Sequence, residues 1–118
     1  MAQKRYGVDC ATAAGLDLVG DRWTLLILRE LSFGEQRFTD LQKALPGIAS
    51  NLLAERLRDL SRRRLIEQRE LQVPAARMVY ALTPDGERVR PVLTALERFG
   101  MPYFRKAPRR QGVSEMGR

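Results

Sequence analysis

Ser50, Asn51, Glu55, Arg58 and Arg62 share one stretch of the chain with Leu53, Leu57 and Leu60. Spacings of four and three between the leucines are those of a single buried helix face. At about 100° per residue, with the leucines inward, Asn51, Glu55, Arg58 and Arg62 stand on the opposite face and Ala54 at its edge. Asparagine and arginine are the side chains that make paired hydrogen bonds to the edges of adenine and guanine. Ser50 and Asn51 fall in the first turn, where free backbone N–H groups and the helix dipole favour a phosphate. The chemistry on offer is recognition of a polyanion.

Bond-making chemistry finds little support. The 118 residues include no histidine and one cysteine, Cys10. The usual general base, the commonest metal ligand and any serine–histidine triad are therefore absent. A tetrahedral zinc site of the common kind cannot be assembled. No paired carboxylates suggest an acid–base pair, so neither an enzyme nor a bound cofactor or metal is expected. The formal net charge of +7 favours an anionic partner, with nucleic acid and acidic membrane the usual ones. The longest apolar stretch, residues 25–28, is far too short to span a bilayer, and residues 1–6 lack the apolar run of a secretory signal. A lone cysteine fits a reducing compartment. These features predict a soluble, cytoplasmic protein of one domain.

The elements that must position the polar face follow from hydrophobic periodicity. A first helix is predicted over residues 13–20, with Leu16, Leu18 and Val19 inward, and Gly20-Asp21 breaks it, Asp21 being able to cap the next helix. That second helix, over 22–31, carries Trp23, Leu26, Ile27 and Leu31 on one stripe, widened by Leu25 and Leu28. After a turn at 32–35, Thr39 is the expected N-cap of a short helix, with Gln42 completing a capping box. Pro46-Gly47 stops that helix, and the next runs from about Ser50 to Arg63.

Strand-like runs at 65–71 and 78–82 flank a loop of small residues and form a hairpin; the second alternates around Met78, Tyr80 and Leu82. Thr83-Pro84 opens a long final helix with Val89, Val92, Leu93, Leu96, Phe99, Gly100 and Tyr103 on one face and a bend at Pro91. Residues 107–118 read as a disordered basic tail behind a domain of residues 1–106.

A short helix, a Pro-Gly turn and a helix of about four turns make a helix-turn-helix, whose second helix enters a major groove. Arg77, at or near the hairpin tip, is suited to phosphate or a minor groove. Each arginine also has a plainer explanation: an exposed turn residue at 77, and a solvated cationic face at 56, 58, 62, 63 and 64, favoured by the helix C-terminus.

The assembled residues closely resemble the HxlR family of bacterial winged-helix regulators. The matching runs are 16–20, 22–31 (Arg-Trp-Thr-Leu-Leu-Ile-Leu-Arg-Glu-Leu), 37–41, 45–48, 53–60, 80–86 and 91–96. The resemblance implies a dimer formed by the terminal helices, a DNA-reading helix after Pro46-Gly47 and a wing between the two strands. Ala49 and Ala54 depart from the family's usual serine or threonine; the first moves the helix cap to Ser50 or weakens the helix start, and the second removes a hydroxyl that could touch DNA. Cys10 falls where members of the family carry a cysteine, in some of them a sensor of oxidants or electrophiles. Here Ala11 replaces the proline that usually follows, and Asp9 is an unfavourable neighbour for a thiolate, with Lys4 and Arg5 as offsetting cations. A small apolar filler at the dimer seam is the alternative role for Cys10.

The expectation is therefore a mostly α protein with a small β-hairpin: a winged helix-turn-helix that dimerises through terminal helices. It would bind a pseudo-palindromic double-stranded DNA operator, with half-sites about one helical turn, ~34 Å, apart or a small multiple of it. The candidate DNA contacts are Arg37, Thr39, Ser50, Asn51, Glu55, Arg58, Arg62 and Arg77. The alternative is a winged-helix module that contacts only proteins. Neither the operator, nor repression versus activation, nor any small-molecule effector is specified by the residues.

Overall fold

Leu53, Leu57 and Leu60 lie at the centre of the computed structural model, which describes residues 5–105. They belong to α4 (Ser50–Arg62) and pack with Ile27, Leu28 and Leu31 of α2 (Thr24–Ser32) and Leu41 of α3 (Phe38–Ala44). The core is completed by Leu45, Ile48, Ile66, Leu82 and Val89. Seven of its side chains have no more than 1–2% of their surface left in water, so removing any one would open a cavity costing about 2–5 kcal/mol.

The chain continues into an antiparallel hairpin, β1 (Ile66–Leu71) and β2 (Arg77–Leu82), in register Ile66 opposite Leu82 and Leu71 opposite Arg77. Gln36 pairs with Tyr80 through both backbone groups, at 3.0 and 2.7 Å. That isolated bridge on β2 ties the wing to the segment before α3. The buried residues of β2 are Val79, Ala81 and Leu82, while Met78 is exposed and Tyr80 half-buried. The expected set of Met78, Tyr80 and Leu82 is corrected accordingly. Leu82 and Tyr80 do face the core, but β2 is covered on both sides, so Val79 and Ala81 are buried as well.

Several helix boundaries differ from expectation. In α1 (Ala11–Val19) the buried residue is Ala13, whereas Leu16 and Leu18 are exposed. In α2, Thr24 and Leu28 are buried and Leu26 is exposed; the helix starts at Thr24, behind a left-handed Trp23 (φ 81°), and has no side-chain cap from Asp21. The apolar residues on both helices outnumber the positions that one small core can cover.

The expected long C-terminal helix is two. Thr83 caps α5 (Pro84–Glu87) by accepting the Gly86 N–H at 3.0 Å, as its Thr-Pro signature requires. A turn follows, and α6 (Arg90–Gly100) opens with Pro91 in its first turn, where a missing N–H costs nothing. A single 3-10 turn, Met101–Tyr103, is the last element of the described chain. The basic tail lies outside the described residues. No helix among the described residues is long and apolar enough to cross a membrane.

Candidate nucleic-acid interface

Helix α4 carries the candidate surface. Its leucine face is locked into the core, which fixes the rotation of the helix and leaves Asn51, Glu55, Arg58 and Arg62 exposed, with Ala54 half-buried between. The side chains on this face are not equivalent. Arg62 is ion-paired with Asp59, and Arg56 lies 3.8 Å from the same carboxylate and 3.7 Å from Glu55. Asn51 and Arg58 make no side-chain hydrogen bond or ion pair with other described residues, so their full donor capacity faces outward.

The N-terminus of α4 is open. Ala49 occupies the cap position and supplies no side-chain acceptor, and Ser50 is the first helical residue and does not cap it. The amides of Ser50, Asn51 and Leu52 thus point out of the helix without a side-chain partner, the arrangement that favours an anion.

Helix α3 begins two residues earlier than its sequence signature suggests. Arg37 is the N-cap, Thr39 is the second helical residue and exposed, and the Thr39–Gln42 capping box does not form. Asp40 takes the role instead, accepting the Arg37 backbone N–H at 2.9 Å. The same carboxylate holds the Arg37 guanidinium by Nε at 3.2 Å and Nη2 at 3.0 Å. Hydrogen bonds from the Arg37 side chain, and then from its backbone, lower the Asp40 pKa; Arg37 is correspondingly raised. Arg37 therefore meets any ligand with its planar fork already occupied.

Arg77 is also engaged. It is the first residue of β2, half-buried and not at the free tip, and its Nη1 donates to the carbonyls of Val73 at 2.9 Å and Ala75 at 3.1 Å. Its first role is to tie together the loop of the wing. Cys10 caps α1: its exposed thiol accepts the Ala13 N–H at 3.4 Å.

Two positioning residues were not singled out by sequence. Gln36 pairs with Tyr80 and also donates from Nε2 to the Glu30 carbonyl at 3.1 Å, and one isolated bridge residue leaves no periodic signal. Arg63 sits among basic neighbours that read as a solvated run, yet it binds the last carbonyls of α1.

A helix-turn-helix packed beneath a two-stranded wing, with the outer face of its second helix free, is the winged helix-turn-helix of transcriptional regulators. The chain belongs to the HxlR-like helix-turn-helix family, whose model matches residues 18–108. It is 34% identical over 98 residues to sll1512 of Synechocystis, an uncharacterized HTH-type transcriptional regulator, covering 83% of this chain and 73% of that one. It is 30% identical over 84 residues to the transcriptional regulator YodB of Bacillus subtilis, covering 71% and 75% of the two chains. The fold superposes on reduced YodB with a TM-score of 0.69, at 27% identity, over 81% of this chain and 95% of that one. YodB has also been solved after diamide treatment. A MarR-family regulator from Porphyromonas gingivalis superposes with a TM-score of 0.74 at 30% identity, covering 86% and 99%.

Proposed function

We propose that this protein is a cytoplasmic transcriptional regulator that binds a pseudo-palindromic DNA operator as a homodimer. In this reading α4 enters the major groove, Asn51 and Arg58 read base edges, and the amides at the start of α4 meet a phosphate. The observation that carries it is the unpaired Asn51–Arg58 face on a helix whose other side is held by Leu53, Leu57 and Leu60. A rigid helix presenting free paired donors is what direct readout of bases requires. Glu55 and Arg62 share that face, Thr39 is exposed on α3, and Arg37 and Arg77 serve the interface as positioned charges that add affinity.

The homodimer reading rests on the terminal helices. No residue of α6 is buried, and Phe99, Tyr103 and Phe104 are 72%, 79% and 71% exposed. Between α2 and α6 runs an open groove of about 750 Å³ lined by Leu25, Leu26, Phe33, Leu93 and Leu96 among others. Apolar surface of this extent is what a second copy would bury, about 800 Å² per partner in a standard interface, and a two-fold pair matches a symmetric operator.

Cys10 supports a regulatory part of the same reading. Its thiol is exposed at the start of a terminal helix, and a relative, YodB, has been crystallised both reduced and after diamide treatment. Cys10→Ser keeps a cap oxygen and removes the oxidisable sulfur, so any loss of DNA binding on mild oxidation should disappear in that variant. An identical response of both proteins leaves Cys10 as a cap and nothing more.

The experiment that tests the whole reading is selection of duplexes from a random pool by the purified protein, followed by light scattering with and without the selected DNA. Enrichment of an inverted repeat by a dimer is the expected result. A monomer at micromolar concentration sinks the dimer, and salt-independent or absent retention favours a module that contacts only proteins.

A further inference from the structure

Trp23 stands in the left-handed region at φ 81° and lies against the turn that aims α4. A Cβ placed on Gly47, itself at φ 102°, would sit 3.8 Å from the far edge of the Trp23 indole. The indole is half-buried and packs on the core, so the Pro46-Gly47 turn rests on a fixed aromatic surface. Over the same ring lies the Arg22 guanidinium, its Cζ 5.4 Å from the centroid. Arg22 is exposed and has no acidic partner among the described residues, unlike Arg37 and Arg62, which are held by Asp40 and Asp59.

We propose that Arg22, shelved on Trp23 beside the Pro46-Gly47 turn, is a phosphate contact of the DNA interface. This rests on the DNA-binding reading above. The turn leads directly into the uncapped first amides of α4, so a backbone strand passing the start of that helix would also pass the indole. The cation–π contact with the ring restrains the guanidinium, which lowers the entropy lost when its fork closes on a phosphate. A lysine would keep the charge and lose the planar fork. The competing role for Arg22 is to shield Trp23 from water, which would affect stability and leave DNA binding alone.

The test compares wild type, Arg22→Gln and Arg22→Lys on a mixed-sequence duplex and on the duplex the protein itself selects. Titrations are run at several salt concentrations, well below each variant's melting midpoint. Arg22→Gln should weaken both duplexes alike, about 3- to 10-fold at ~0.1 M salt, and lower the salt slope by about one. Arg22→Lys should restore the slope and only part of the affinity. Wild-type affinity and slope in Arg22→Gln overturn the proposal, as does a loss confined to the selected duplex, which would mark a base contact. If wild type itself binds neither duplex, the failure belongs to the DNA-binding reading.

Discussion

The Arg63 guanidinium closes the last turn of α1: its Nη1 donates to the Leu18 carbonyl at 2.7 Å and to the Asp17 carbonyl at 3.2 Å. A cation at a helix C-terminus both satisfies orphan carbonyls and opposes the negative end of the dipole. The end of α4 is thereby pinned to a helix whose own exposed face is proposed to meet a second copy. Arg63→Met keeps most of the stem and removes the donors. It should cost about 1–2 kcal/mol of stability and speed amide exchange in α1 more than in α3. Equal protection of α1 in both proteins would show that the contact carries no weight.

Arg64 follows at φ 62°, a left-handed conformation that closes α4 through the Arg64 N–H to Ser61 and the Leu65 N–H to Leu60, each at 3.0 Å. Any side chain with a Cβ is strained there by about 1 kcal/mol or more, and glycine is not. The carbonyl of Arg64 accepts the Thr83 hydroxyl at 2.6 Å, and a backbone acceptor survives substitution. Arg64→Gly should raise stability by about 0.5–1 kcal/mol after the extra freedom of glycine in the unfolded chain is counted. A melting temperature that falls would contradict this.

Gly86 makes the opposite case. A Cβ there would collide with the Leu65 carbonyl oxygen, which itself accepts the Thr83 N–H at 3.1 Å. Gly86→Ala must push α5 off the base of the wing, at a cost of about 2–3 kcal/mol. A melting midpoint lower by roughly 10 °C is expected for a domain of this size, and an unchanged one would show that the segment shifts freely.

Acid should loosen the start of α3. The folded Asp40 carboxyl lies below its ordinary pKa, mainly through hydrogen bonds from Arg37. A depressed carboxylate contributes stability above its unfolded pKa, near 4, and loses that contribution as pH falls through the lower folded value. Asp40→Asn should therefore flatten the stability profile below about pH 4 and leave its neutral-pH shape unaltered. Carbon-detected titration of Asp40 in wild type should give a midpoint below that of an unpaired aspartate.

The outer face of α4 and the wing should respond differently to truncation. Arg58→Ala and Asn51→Ala are each expected to cost about 1–3 kcal/mol on selected DNA and to relax the preference at one base pair. Arg77→Ala removes a cation and also frees the Val73 and Ala75 carbonyls, so it should weaken selected and random DNA together. An unchanged selected-to-random ratio in both α4 variants would mean that a different face or element reads the bases.

The sequence by itself determined the rotation of α4, because a 3.6-residue period admits one buried stripe, and Leu53, Leu57 and Leu60 define it. The Pro46-Gly47 stop, the hairpin and the Thr83-Pro84 start were equally legible, since local backbone chemistry decides each of them. Tertiary structure alone decided which apolar residues the core would cover. Leu16, Leu18 and Leu26 satisfy helical periodicity and remain exposed, because periodicity names a face without saying whether its partner belongs to the same chain. Tertiary structure also divided the arginines. Arg37, Arg62, Arg63 and Arg77 are spent on Asp40, Asp59, α1 and the wing loop, while Arg58 and Arg22 stay free of acidic partners among the described residues. The charge of a guanidinium is written in the sequence, but its partner depends on which carbonyl or carboxylate folding brings within about 3 Å.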